Sequence, residues 1–246
     1  MRQPRYQTIA AKIRELVARG DYGSNRLLPS ESEFAREHGA SRVTIRRALE
    51  TVRDEGLIDS RQGLGWFVAA DPVRQSLGRL GTIEDQLVAR GLESRRRVLD
   101  FGFIAAPRRA REVLGCDTVL RVRRLNLADG APFARVTVWC PEGLGSSLSR
   151  DQVERQPFLE LLDVSLDHAT QSIGAVAAGD SDARRLSVPP GSPMLRCERI
   201  THAVGIGPVL LSEFVFPGHL TEFMVELASP APSIAPSGLR LVGDEA

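Results

Sequence analysis

Four side chains within six residues, Ser41, Arg42, Thr44 and Arg46, carry the chemistry of nucleic-acid recognition. A guanidinium bridges guanine O6 and N7 with two hydrogen bonds or neutralises a phosphate, and a threonine donates to phosphate or touches a thymine methyl. These residues need a helix to present them, and the sequence supplies one. Ser41 is a good N-cap, and Gly56 stops a helix over residues 42–55. At ~100° per residue, Ile45, Ala48, Leu49 and Val52 fall within roughly a 100° arc. Arg42 and Arg46 then lie side by side on one flank and Thr44 near the other. The N-terminal end of such a helix is the one that enters the major groove. Arg47 and Arg53 read as structural or peripheral. Taken alone, the helix reads better as a solvated polar face; its neighbours decide for DNA contact.

Two helices precede it. Ile9, Ile13, Leu16 and Val17 keep helical spacing in the first, which Gly20 ends. The second opens at Ser30 with Glu33 three residues on, the spacing of a capping box. Its free amides also form a positive pole suited to a phosphate near Ser30. It closes at Gly39, and only Gly39-Ala40 separates it from Ser41. After the third helix, Leu57-Ile58-Asp59-Ser60-Arg61 and Trp66-Phe67-Val68-Ala69 flank Gln62-Gly63-Leu64-Gly65, a β-hairpin pattern. Three helices and a hairpin, with a tight turn between the second and third helices, make a winged helix-turn-helix over residues 1–70. Arg61 is placed to anchor the wing to phosphate. Gln62, Gly63 and Gly65 form a tip whose glycines either permit the turn or let the backbone approach DNA.

Residues 71–81 lack periodicity and read as a linker. A helix follows from Thr82 to residues 90–91. Strand patterns cover residues 98–105, 118–127, 132–140, 168–178, 193–203 and 208–216, with short helices over 107–114, 156–162 and 180–186. Asp129-Gly130 is a strong hairpin-turn signal. Hairpins interleaved with helices predict an α+β domain around an antiparallel sheet over residues 82–228. Residues 229–246, rich in Pro, Ser and Ala, read as a disordered tail.

Composition narrows the class. The 246 residues are 42% hydrophobic and 26% charged, as in globular proteins. No apolar run approaches the roughly 20 residues of a membrane span, and the N-terminus lacks the apolar core of a secretory signal. No membrane association and a cytoplasmic location are therefore expected. Net charge is +1, divided as +3 through Ala70 and −2 beyond it, a weak asymmetry in the direction of DNA binding. Cys116, Cys140 and Cys197 show no metal-ligand or disulfide spacing. The four histidines show none either, so neither a metal nor a cofactor is expected.

The first segment resembles the GntR family of bacterial regulators. The resemblance rests on Leu28-Pro29-Ser30-Glu31, Ser41-Arg42-x-Thr44-x-Arg46-x-Ala48-Leu49, Glu55-Gly56-Leu57-Ile58 and Gln62-Gly63-x-Gly65-x-Phe67-Val68. Trp66 departs from it, standing where the family usually has threonine. The second segment resembles the UTRA effector domain of the HutC subfamily, whose fold is like chorismate lyase. Its marks are Arg123-Arg124-Leu125-x-Leu127-Ala128-Asp129-Gly130-x-Pro132, Gln171-x-Ile173 and Ala183-Arg184-Arg185-Leu186. The resemblance implies a homodimeric regulator, usually a repressor, that binds double-stranded operator DNA with inverted half-sites and is released or re-aimed by a small-molecule effector. It also implies a wing that approaches the minor groove.

For the effector site, Arg124 and Asn126 alternate onto one face of a strand. Family members that bind phosphorylated sugars tend to have arginine at both positions and glutamate where Val136 stands. The resemblance places an anion site at Thr82, whose hydroxyl and neighbouring amides suit one; Glu84 follows in the same turn. Glu213, in an apolar strand, either faces solvent or lines the pocket. Two other readings compete with the sensor: a ligand-independent DNA-binding regulator with a vestigial pocket, and a lyase-like enzyme, for which no nucleophile–base arrangement is visible.

Overall fold

The computed structural model describes residues 4–22, 27–69, 73–76, 87 and 91–225. Three helices open the chain: α1 (Arg5–Arg19), α2 (Glu31–His38) and α3 (Arg42–Asp54). Their ends are set by the residues that the sequence singles out. Gly20 and Gly39 close α1 and α2 in the left-handed conformation, at φ of 75° and 56°. Ser30 and Glu33 form the capping box, with Ser30 Oγ accepting from the Glu33 amide at 3.3 Å and Glu33 Oε2 accepting from the Ser30 amide at 2.8 Å. Ser41 Oγ accepts from the Thr44 amide at 3.2 Å. Ile45, Ala48, Leu49 and Val52 of α3 are fully buried against Ile9 and Ile13 of α1, Phe34 of α2 and Trp66. The wing is β1 (Ile58–Arg61) paired antiparallel with β2 (Gly65–Val68). Leu27 adds an isolated bridge to Phe67 on its outer side.

The C-terminal domain, the expected effector domain, is built on one antiparallel sheet. Its elements are β4 (Ser94–Ala105), α4 (Arg108–Leu114), β5 (Thr118–Ala128), β6 (Ala131–Pro141), α5 (Glu142–Gly145), α6 (Arg150–Arg155), a 3₁₀ turn (Phe158–Leu161), β7 (Leu166–Ala177), α7 (Asp180–Leu186), β8 (Pro193–Ala203) and β9 (Gly207–Pro217). The strand order is β4-β5-β6-β9-β8-β7. Asp129 and Gly130, at φ of 48° and 80°, form the turn between β5 and β6. Side chains alternate between two covered faces. On one, Leu120, Val122, Val136, Val138 and Leu210 pack with Val153 of α6 and Phe158 of the 3₁₀ turn. On the other, Leu125 and Val215 meet Ala183 and Leu186 of α7, and Val119 and Leu211 meet Ala110 of α4.

Four parts differ from the sequence reading, the smallest being helix α5, which falls where no element is expected. Within the expected linker, β3 (Val73–Ser76) runs parallel to a final strand, β10 (Thr221–Met224). Helix α6 falls where no element is expected; Ser149 and Gln152 cap it as a box, with the Ser149 amide donating to Gln152 Oε1 at 2.8 Å. The helix expected over residues 156–162 is a single 3₁₀ turn, because Pro157 and the extended Leu162 bound it. The rest of the linker, the helix from Thr82 onward (apart from Leu87) and the tail at 229–246 lie outside the described residues.

Candidate DNA-binding head and effector pocket

The buried stripe of α3 fixes what the helix shows to solvent. Arg42, Val43, Arg46 and Arg47 are exposed and Thr44 is partly so. Val43, at 79% exposure, is an exposed apolar side chain the sequence reading passed over. Its position two residues into the helix was the available signal, since a valine off the buried arc at a groove-facing end suits a thymine methyl. Ser41 Oγ and Thr44 Oγ1 lie 2.8 Å apart, so the cap also orients the threonine hydroxyl.

Arg46 is not a loose cation. Its Nε and Nη2 donate to the two carboxylate oxygens of Glu31 at 2.9 and 2.8 Å. Trp66 Nε1 donates to the same carboxylate at 3.5 Å. The Arg46 hydrogen bonds outweigh partial burial and hold Glu31 below the ordinary carboxylate range, with help from Trp66 and from the charge of Arg42. Glu31 thus ties the first turn of α2 to the recognition helix and to the wing. Trp66, the departure from the family pattern, fills the head's core with its ring and uses its N–H on that carboxylate. Arg46 keeps 59% of its side-chain surface exposed while so held. Arg47 lies over the Tyr6 ring at 4.3 Å and Arg53 over Trp66 at 6.0 Å, both structural placements.

At the wing tip, Gly63 and Gly65 adopt φ of 80° and 92°, and nothing lies within 4 Å of where a side chain would start. The conformation, not crowding, requires glycine there. Gln62 is exposed beside them. Arg61, expected to anchor the wing to phosphate, is exposed, and its Nη1 donates to the Gly218 carbonyl of the effector domain at 3.0 Å.

The effector domain holds a pocket on the face of the sheet covered by the 3₁₀ turn. It is lined by Arg124, Val136, Val138, Leu210, Ser212 and Phe214 of the central strands, by Arg199 and Thr201 of β8, and by Pro157, Phe158 and Leu159 above them. Its space is about 40 Å³, room for a water or two. Arg124 is 5% exposed, and one of its terminal nitrogens donates to the Val153 carbonyl at 3.3 Å. Arg199 lies over the Phe214 ring at 5.3 Å and donates to Gln171 at 2.8 Å. Asn126 shares the face of Arg124, as alternation demands, but is completely buried beyond the pocket walls. Thr82 lies outside the described residues.

Glu213 is a correction. It pairs across the sheet with Thr137, on the face opposite Ser212 and Phe214. There it accepts from Arg135 at 2.9 Å and Arg196 at 2.7 Å, and Arg135 also binds Asp182 at 2.8 Å. Burial pushes the Glu213 carboxyl up, but the two arginines outweigh it and hold the group below its ordinary range. Both faces of β9 are apolar and covered, so alternation alone could not say which one Glu213 joined.

Burial pushes the Cys140 and Cys197 thiols up to about 12, which removes the thiolate a nucleophile needs at neutral pH. Among the described residues, no three His, Cys, Asp or Glu side chains gather into a metal site, and no helix is long and apolar enough to cross a membrane.

Known proteins place the two parts. The gntR family of bacterial regulatory proteins matches residues 5–68, and the UTRA domain matches residues 89–221. The chain is 34% identical over 213 residues to the HTH-type transcriptional regulator Rv0792c of Mycobacterium tuberculosis, covering 83% of this chain and 79% of that one. It is 28% identical over 220 residues to the histidine utilization repressor of Pseudomonas putida, covering 87% and 88%. The crystal structure of PhnF from Mycobacterium smegmatis shares the fold, with a TM-score of 0.59 at 21% identity over 90% of this chain and all of that one. The chain belongs to the GntR family, in its HutC subfamily with a UTRA effector domain, and is a ligand-responsive, DNA-binding transcriptional repressor rather than an enzyme.

Proposed function

We propose that the protein acts in the cytoplasm as a homodimer on inverted half-sites, with Arg42, Val43, Thr44 and Arg46 of α3 against the major groove. Ser30 and Ser41 bring their helix-start amides to phosphate, and Gln62, Gly63 and Gly65 bring the wing tip to the minor groove. The observation that carries this reading is the first turn of α3: Arg42 and Val43 are exposed while the stripe from Ile45 to Val52 is wholly buried. One helix and one wing reach only a few base pairs, so a second copy related by two-fold symmetry supplies the rest of the site. Strand β7, one of the two outer strands of the sheet and unpaired on its far side among the described residues, supports a pairing partner of this kind. It is 12 residues long, and from Ala169 to Ala177 it carries neither charge nor proline to blunt it.

The effector site proposed is the pocket between the sheet and the 3₁₀ turn, with Arg124 as its polar anchor. At about 40 Å³ the pocket is small for a metabolite, so ligand entry is expected to displace the 3₁₀ turn relative to β9. That is the differential interaction a ligand needs to move an equilibrium between two head arrangements. Footprinting the full chain on its operator tests the proposal. Two protected half-sites related by a dyad are expected; a single asymmetric half-site held by a monomer contradicts it.

A further inference from the structure

The wing is seated on the effector domain. Besides the hydrogen bond from Arg61 to the Gly218 carbonyl, the Arg61 guanidinium lies 5.9 Å from the centre of the Phe67 ring, within cation–π range. Phe67 lies 5.6 Å from the ring of His219, and both residues are buried. Asp59, Ala69 and Glu222 join these groups around a cleft of about 250 Å³ between wing and effector domain.

The turn that receives the wing is not an independent loop. It ends β9, the strand whose Leu210, Ser212 and Phe214 line the effector pocket. Phe214 stacks on Phe216 at 6.2 Å, and Phe216 meets Phe223 of β10 edge-on at 5.8 Å. Strand β10 pairs with β3, which begins at Val73, close after the wing strand ends at Val68. The Gly218 amide donates to the Pro193 carbonyl at 3.0 Å, and a Cβ on Gly218 would sit 3.0 Å from that same oxygen. The turn is therefore fixed to β8 as well as β9, and moves only with the sheet.

We propose that Arg61 and Phe67 are the wing's docking residues on the effector domain. They are positioning residues that set the orientation of the DNA-reading head, not readers of DNA. A ligand that displaces β9 acts on the head through this joint. The proposal rests on α3 being the DNA-reading helix, and the test separates the two.

The test uses the full-length wild type, Arg61→Ala, Gly218→Ala and Arg42→Ala, each checked by thermal unfolding. Two quantities are read: the salt dependence of binding to a random-sequence duplex, and the rate of tryptic cleavage after Arg74 or Arg79 in the segment joining the domains. A lost phosphate contact lowers the salt slope by roughly one. A lost docking contact leaves that slope alone and frees the head, speeding cleavage roughly three- to tenfold, the ratio for losing one modest hydrogen bond. Arg61→Ala and Gly218→Ala are expected to speed cleavage with the slope unchanged. Gly218→Ala reaches the joint without touching the wing, so agreement between the two locates the effect. An Arg61→Ala slope lowered like that of Arg42→Ala, or cleavage at the wild-type rate in either variant, overturns the proposal. An unchanged slope in Arg42→Ala, together with unchanged operator affinity, instead contradicts the assignment of α3.

Discussion

Arginine supplies 31 of the 32 basic residues, yet the two domains use it in opposite ways. In the head, Arg42 stands in solvent at the start of α3, where a guanidinium keeps its hydration until a phosphate or base replaces the water, and Arg46, though held by Glu31, keeps more than half of its side chain exposed. In the effector domain, Arg135 is nearly enclosed, donating at once to Asp182, Glu213 and the Thr137 hydroxyl. An exposed arginine contributes little to folding and is available to a partner. An enclosed one is committed to its carboxylates, and removing it strands them. Arg124 is the intermediate case, buried like Arg135 but on the wall of the pocket.

The contrast predicts that substitutions at these sites act on different properties. The largest effect on stability is expected at Arg135. Arg135→Ala leaves Asp182 without its arginine and Glu213 with Arg196 alone, and costs about 3 kcal/mol, read as a lowered urea midpoint of the full chain. An unchanged midpoint would show that the network is merely decorative. Next comes Arg42→Ala, which costs roughly 1–3 kcal/mol of operator affinity if the side chain reads a base while the unfolding midpoint stays put. A shifted midpoint with unaltered affinity would reverse the comparison.

The same network gives a pH dependence. Glu213 is held below its ordinary range in the folded state, so its unfolded form binds protons more readily. Its contribution is fully present above the ordinary carboxylate range and is lost as pH falls through the depressed folded value. Glu213→Gln is therefore expected to flatten the loss of stability on acidification below about pH 4, measured by thermal unfolding across that window. The smallest effect belongs to Glu31→Gln. It loosens an ion pair whose arginine is mostly exposed, so less than about 1 kcal/mol of stability goes with it. Duplex binding is expected to tighten modestly as Arg46 is released and a negative charge near the phosphates disappears. Weaker binding in that variant would mean that Glu31 positions Arg46 for the groove rather than restraining it.

What was legible in the sequence follows the range of the interactions involved. The caps at Ser30 and Ser41, the buried stripe of α3 and the Asp129-Gly130 turn are decided within a few residues, and the chain says them aloud. The strands of the effector domain were also readable to within a few residues, because alternation and turns bound them. Helix α6 was readable too, since Ser149 and Gln152 carry the capping-box spacing, but without an apolar run the signal was easy to pass over. Other features depend on distant partners. Which face Glu213 joins depends on a sheet covered on both sides, and the Arg61 contact spans 157 residues. The pairing of β3 with β10 joins a short segment to one far along the chain. Periodicity carries no information about such contacts.

The most direct test of the account concerns the pocket's hold over the head. After a thermal-shift screen of small metabolites identifies a ligand, operator affinity is measured with and without it, in the wild type and in Arg124→Gln. The account predicts that the ligand changes wild-type affinity by about 5–150-fold, the usual span of allosteric coupling, and leaves Arg124→Gln unchanged, with its ligand-free affinity near that of the wild type. A full ligand response in Arg124→Gln would contradict the placement of the effector site.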